Sequence, residues 1–198
     1  HPVESNWLHF GPERETAPAR QELEENFGNV TRWLLFGGID FDFISESLLP
    51  ELCPEEAGNP FPVGEMGYDV LLLPGCETIR ESTLKRIKAF LQKSGKVFFL
   101  GRAPSLVQAL PSEEPQNLLK EENCRLLPMS AGTLLEALEE AGVRQVAYWK
   151  SKGDGEQELI HQLRQDGDTR WLFLAQAKDP YNPDIPRKNT WEITLEGN

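Results

Sequence analysis

The chain has 198 residues, room for one large domain or one domain with an appendage, and a chain of this size buries roughly 70% of its unfolded surface without disulfide or metal staples. Lys plus Arg is 20 against 32 Asp plus Glu, a net charge of −12 and a pI near 4.8, which excludes a partner recognised through clustered cations, whether nucleic acid or an anionic membrane surface. Apolar residues are 39% and charged ones 26%, a globular rather than a disordered composition.

Residues 1–16 read as irregular, with Trp7, His9 and Phe10 among polar residues. A helix is predicted from Ala17 to Phe36, because Leu23, Phe27, Val30 and Leu34 fall on one helical face and Gly37-Gly38 ends it. In Ile39–Ile44 the apolar residues Ile39, Phe41 and Phe43 alternate with Asp40 and Asp42, which predicts a strand, and Ser45–Leu52 reads as a short helix stopped by Pro54. The prolines and glycines of 54–64 predict a surface loop.

The clearest unit starts at Tyr68. Tyr68-Asp69-Val70-Leu71-Leu72-Leu73 is a nearly unbroken apolar run, as in a parallel strand covered on both faces. Pro74-Gly75 breaks it, and a helix over Arg80–Lys93 follows, carrying Leu84, Ile87 and Leu91 on one face with Gly95 at the place of a left-handed cap. Lys96–Leu100 is the second buried strand, ending at Gly101, so the whole is a strand–helix–strand crossover. Beyond it the pattern predicts a helix over Pro104–Leu110, an acidic loop over Ser112–Asn123, a short strand Cys124–Leu127, a helix Ala131–Ala141 and a strand Gln145–Lys150. Past residue 152 the period changes to that of strands: Glu158–Arg164 and Thr169–Gln176 flank Gln165-Asp166-Gly167-Asp168, a hairpin signal, and Thr190–Leu195 adds another.

The expected fold is therefore α/β, a doubly wound, mostly parallel sheet with helices on both faces over residues 1–152, followed by a β-rich extension over 153–198 that starts a β-sandwich domain. Both ends read as cut, so the chain is expected to be a middle piece of a larger protein. No stretch nears the roughly 20 apolar residues that span a bilayer, and His1–Asn6 lacks the basic and apolar regions of a signal peptide. The three cysteines, Cys53, Cys76 and Cys124, form neither a disulfide framework nor a zinc spacing; they fit a reducing, cytoplasmic compartment and no metal.

In an open parallel sheet, ligands bind outside the carboxyl ends of the strands. Two loops qualify here: Pro74-Gly75-Cys76-Glu77-Thr78 and Gly101-Arg102-Ala103-Pro104-Ser105. Cys76 is a candidate nucleophile, because a strand end before a helix N-terminus can lower a thiol pKa, but the flanking-glycine elbow is missing and Glu77 opposes a thiolate. His161, between Leu159 and Leu163 on one strand face, is a candidate base and equally a packed residue. Glu77, Thr78 and Arg102 are ligand-loop candidates, with Trp7 as a surface that could stack on a sugar. No glycine pattern for nucleotide phosphates occurs, so no cofactor is expected.

The runs Tyr68–Gly75 and Ser94-Gly95-Lys96-Val97-Phe98-Phe99-Leu100-Gly101-Arg102-Ala103-Pro104 resemble the glutamine-amidotransferase-like domain (class I, flavodoxin-like) of large bacterial glycoside hydrolases, of the beta-galactosidase and alpha-L-rhamnosidase-like kinds. His1–Trp7 looks like the end of that domain's first strand, and Ile160–Arg164 with Trp171–Leu174 like the hairpin entering the following β-domain. In bacterial beta-galactosidases such a domain follows the catalytic barrel and helps assemble the trimer. The resemblance places the amidotransferase nucleophile after the strand that here is Lys96–Leu100, where this chain has Gly101-Arg102-Ala103-Pro104 and no thiol.

It implies a structural or oligomerisation domain of a carbohydrate-degrading enzyme, non-catalytic by itself. Its partners would be the other domains of the parent chain, a homo-oligomer and carbohydrate. Two alternatives stand beside it: a small Cys-dependent hydrolase or amidotransferase-like enzyme using Cys76, and a carbohydrate-binding module.

Overall fold

The structure, a computed structural model, describes residues 2–143, 146–152, 159–177 and 190–195. In chain order the elements are α1 (Val3–Leu8), α2 (Glu13–Phe36), α3 (Leu49–Leu52), β1 (Phe61–Val63), β2 (Met66–Tyr68), β3 (Val70–Pro74), β4 (Thr78–Ile79), α4 (Glu81–Gln92), β5 (Lys96–Leu100), β6 (Leu106–Val107), β7 (Leu110–Pro111), α5 (Glu114–Asn117), a 3-10 turn (Leu118–Lys120), β8 (Cys124–Leu127) and α6 (Ala131–Glu140), then β9 (Val146–Lys152), β10 (Leu159–Asp166), β11 (Thr169–Gln176) and β12 (Thr190–Leu195). The chain divides into two compact units, one of His1–Val30 with Phe43–Ala141 and one of Thr31–Asp42 with Gly142–Asn198.

The first unit is built on a three-stranded parallel sheet in the order β3-β5-β8. Its register runs Val70↔Lys96 to Pro74↔Leu100 on one side and Val97↔Cys124 to Leu100↔Leu127 on the other. Lys96–Leu100 is the strand expected from its unbroken apolar run, and Val97–Leu100 are buried because β5 is central. In β3 only Leu73 and Pro74 are buried and Val70–Leu72 are half-buried, so the expected cover on both faces holds only at its carboxyl end. Among the described residues the parallel strands lie in chain order with no reversal. The fold is mixed α/β, and the doubly wound arrangement is not itself visible in it.

Helix α4 follows its apolar stripe: Leu84, Ile87, Phe90 and Leu91 are buried in the cluster that also takes in Phe61, Ile79, Val97 and Phe99. Arg86 is buried among them and satisfied, its Nε donating to the Cys53 carbonyl (2.9 Å) and its Nη1 to that of Ser82 (2.8 Å). The left-handed residue after α4 is Ser94 (φ 63°), not Gly95. Gly95 is required for another reason: a Cβ there would collide with the Phe90 ring.

Six further readings are corrected in this unit. Residues 3–8 form α1 rather than an irregular segment, and α2 begins at Glu13 rather than Ala17. The 54–64 segment is not all loop, since Phe61, buried edge-on against Phe90 (5.3 Å), anchors a β1–β2 hairpin. Pro104–Leu110 is not a helix but leads into the β6–β7 hairpin, with Gln108 (φ 52°) and Ala109 (φ 63°) both left-handed in a two-residue turn. The acidic stretch Ser112–Asn123 holds α5, with Pro115 in its first turn, and the 3-10 turn. The expected helix Ser45–Leu52 shortens to α3, with Pro50 in its first turn.

Ile39–Ile44 forms no regular strand. Ile39–Asp42 fall in the second unit and Phe43 and Ile44 in the first.

In the second unit β9 pairs antiparallel with β12, and β10 pairs with β11 from Leu159↔Gln176 to Asp166↔Thr169. Gly167 (φ 57°) leads the two-residue turn of this hairpin, as a II′ turn requires. Asp40 belongs to this unit: its Oδ2 accepts the Leu163 backbone N–H at 3.3 Å and lies 3.6 Å from the Arg164 guanidinium. Glu158 and Gln145, ends of two predicted strands, lie outside the described residues. No helix of the described residues is long and apolar enough to cross a membrane.

Candidate functional site

The strand ends decide where a site can sit. β3 and β5 stop side by side at Pro74 and Leu100, and each is followed by a left-handed glycine, Gly75 (φ 66°) and Gly101 (φ 75°). The Gly75 N–H donates to the Leu100 carbonyl (2.9 Å) and the Gly101 N–H to that of Leu127 (2.8 Å), so both loops leave the sheet at the same end. They are joined again farther out, where the N–H groups of Ser105 and Leu106 donate to the Glu77 carbonyl, each at 3.1 Å. The two loops singled out in the sequence are thus one structure.

Helix α1 closes over the first of them. Ser5, fully buried, accepts the backbone N–H of Glu77 (2.9 Å) and of Thr78 (3.2 Å) at its Oγ, and its hydroxyl faces the Thr78 carbonyl at 3.4 Å. Glu4 takes the Arg80 Nε at 2.7 Å. His9 shares a 2.8 Å hydrogen bond with Glu77 Oε1, which also lies 3.5 Å from Arg102 Nη1, and Arg102 Nη2 reaches Glu22 of α2 at 2.6 Å. Glu46 Oε2 accepts the Arg80 backbone N–H at 2.8 Å. Burial pushes the Glu46 carboxyl pKa up; the Thr83 hydroxyl and the Arg80 N–H work against that, and the Glu4 charge adds to it.

Cys76 lies in this loop but faces inward. It is 7% exposed, and burial first, then the Glu46 charge, pushes its thiol up to about 12. That is the opposite of the lowered pKa an attacking thiolate needs. Thr78 is buried and spends its Oγ1 on the Ala109 backbone N–H (3.1 Å). Glu77 and Arg102 are half-buried in the ion network just described, and Trp7 is 66% exposed. His161 belongs to the other compact unit, paired with Leu174 across the β10–β11 hairpin, and burial lowers its pKa against the opposing Asp40 charge. The structure therefore brings Glu77, Thr78 and Arg102 together and provides no nucleophile among them.

After β5 the backbone carries Gly101, Arg102, Ala103 and Pro104, with Pro104 buried. Beside the loops, a cavity of about 420 Å³ is lined by Glu55, Arg80, Glu81, Ser82, Lys85 and Gln108. Its charges are mixed: Lys85 lies 3.5 Å from Glu55 and 3.4 Å from Glu81, and both carboxylates raise its pKa. Among the described residues no group of three or more His, Cys, Asp or Glu could hold a metal.

Sequence reasoning passed over Glu4, Ser5, His9, Glu46 and Arg80 as site residues. Their partners lie 34 to 76 positions away, in Arg80–Glu46 and Arg80–Glu4, and a local pattern carries no signal of such pairings.

No protein-family model matches the chain, and no curated protein matches it. Among solved structures, an apo exo-carrageenase GH42 from Bacteroides ovatus is similar over 87% of this chain at 11% identity, with a TM-score of 0.47. This chain covers 27% of that protein's length.

Proposed function

We propose that this chain is a non-catalytic structural domain of a carbohydrate-degrading enzyme, an amidotransferase-like scaffold of flavodoxin-like type over residues 1–152 with the first strands of a β-domain over 153–198. One observation carries the reading. The bend after β5, where an amidotransferase-like fold would hold its nucleophile, carries Arg102, Ala103 and Pro104, and the nearby thiol, Cys76, is buried with its pKa near 12.

The half-buried pair Glu77–Arg102 has its charges spent within the network, a structural rather than a catalytic use. On this reading the partners are the other domains of the parent chain and further copies of it. The three cysteines, all free and buried, suit a reducing compartment such as the cytoplasm.

The test is direct. Incubated with glutamine, and separately with aryl galactosides and aryl rhamnosides, the purified chain releases neither ammonia nor phenol above a buffer blank. Turnover of either kind that is lost in Cys76→Ser would replace this reading with that of a thiol enzyme.

A further inference from the structure

The antiparallel ribbon β10–β11 has two outer edges, and they are not alike. At the β10 edge the Leu163 N–H donates to Asp40 Oδ2 (3.3 Å), and the same oxygen lies 3.6 Å from the Arg164 guanidinium, so an acidic side chain sits where another strand would lie. That bond also fixes the polarity of the ladder. The Leu163 N–H turns away from β11, so Leu163↔Leu172 is a non-hydrogen-bonded pair, and alternation along an antiparallel ladder makes His161↔Leu174 another. The N–H and C=O groups of Leu172 and Leu174 therefore point outward from β11, and among the described residues no strand pairs with that side.

Natural sheets protect such an edge with Lys, Pro, a bulge or an inward charge. The segment Thr169–Gln176 contains no Asp, Glu, Lys, Pro or Gly; its one charge, Arg170, lies near its start, and its register with β10 is unbroken. In a chain of net charge −12, a strand without a carboxylate is a place where two copies can meet without strong repulsion. Its other face adds Trp171 and Phe173, each 65% exposed.

The strand is also complementary to itself. Turned about a two-fold axis at Phe173, a second copy sets Leu172 against Leu174 in hydrogen-bonded pairs, Trp171 against the small Ala175 and Arg170 against Gln176, so no like charges face each other. A two-stranded ribbon is marginal in water, and doubling it reaches the number of strands that independent stability takes.

We infer that the outer edge of β11 is a homodimer contact: two copies of this chain pair antiparallel through the backbones of Leu172 and Leu174, centred on Phe173, and make one four-stranded sheet with both pairs of Trp171 and Phe173 rings on one face. Each ring is covered on one flank only, so the contact is smaller than the roughly 1,200–2,000 Å² of a standard interface and the pair is reversible. The inference rests on the second unit alone. Glutamine turnover would remove the scaffold reading of the first unit and leave this contact standing, so the two failures are distinguishable.

The experiment is sedimentation velocity on the full chain between roughly 5 and 500 μM, a range that brackets a weak reversible dimer. The mass rises from 22.4 kDa toward twice that value, and the Leu172 and Leu174 amides exchange at least roughly tenfold more slowly at the high end than at the low end. Phe173→Lys, an exposed position where the two-fold sets two like charges face to face, stays a monomer throughout. Phe173→Cys reads the register. Facing residues of a non-hydrogen-bonded pair have Cα atoms about 4.5 Å apart, within reach of a disulfide, and the three native cysteines are buried. Oxidised glutathione therefore converts this variant to a covalent dimer. Trp171→Cys, whose mate would lie about 13 Å away along the strand, is not cross-linked.

A wild type that stays monomeric over the whole range overturns the inference, as does a dimer that survives Phe173→Lys or one that Phe173→Cys does not cross-link. A monomer whose migration is retarded by soluble galactan, with the retardation lost in Phe173→Lys, overturns it too and assigns the two rings to sugar.

Discussion

Cys76 and Cys124 each carry a thiol whose pKa burial pushes up to about 12, assisted by the charge of Glu46 at the first and Glu121 at the second. An unfolded cysteine titrates near 8.5, so above that pH the unfolded chain releases protons that the folded chain keeps. These thiols contribute stability that is complete below about pH 8.5 and is lost as pH rises toward 12. Urea midpoints should therefore fall from pH 8 to pH 10.5, and the paired variant Cys76→Ala, Cys124→Ala should fall less steeply from its own lower starting point. Glu46 follows the same sign at the acid end: its raised pKa means that ionisation costs more in the folded than in the unfolded chain. Glu46→Gln, which keeps an oxygen for the Arg80 N–H, should raise the urea midpoint at pH 7, and the gain should disappear below about pH 4. Gly95→Ala belongs at this scale too, because its new methyl would meet the buried Phe90 ring. A loss of at least about 2 kcal/mol, read by denaturant titration, is expected from overpacking at that contact.

Among the elements, those whose stability is local were legible in the sequence and those held by distant partners were not. Lys96–Leu100 reads as a buried strand because Val97, Phe98, Phe99 and Leu100 are contiguous and apolar, and α4 reads from the spacing of Leu84, Ile87 and Leu91. Helix α1 was illegible because Ser5 and Glu4 bond to residues more than 70 positions away. The β6–β7 hairpin was misread for a different reason. Its turn residues Gln108 and Ala109 are both left-handed, a conformation usually announced by Asn or Gly, and neither is there. What holds them is tertiary: the Gln108 N–H donates to the Ile79 carbonyl (2.9 Å) and the Ala109 N–H to Thr78 Oγ1 (3.1 Å). Ala109→Gly keeps both bonds and removes the crowding of Cβ at positive φ, which costs roughly 1 kcal/mol for an L-residue. Thermal unfolding should show it stabilised by about that amount, and an unchanged or lower Tm would mean the turn is not strained. Glu77 and Arg102, singled out in the sequence, meet at 3.5 Å, whereas Ser5 and His9, which bond the same loop from far away in the chain, carried no signal.

At the scale of the molecule, the two compact units are built differently. The first surrounds a three-stranded parallel sheet with a buried cluster that includes Phe61, Phe90 and Phe99. Among the described residues of the second, the strands pair as two-stranded ribbons, β9 with β12 and β10 with β11, and β11 leaves Trp171 and Phe173 each 65% exposed. A two-stranded ribbon with one open face is marginal in water, so amide exchange should be slowest in β5 and faster by at least roughly tenfold in β10 and β11. Equal protection across the units would show the ribbons to be as firmly held as the parallel sheet.

The Asp40 carboxylate meets the Leu163 backbone across 123 positions of sequence. Because the ribosome emits the chain from its amino end, Asp40 is synthesised long before the hairpin that will accept it. The first sheet can close while that stretch is still waiting. We expect maturation to be ordered in time, the parallel sheet before the β10–β11 ribbon, so that a chain halted before Leu159 leaves Asp40 without the Leu163 N–H.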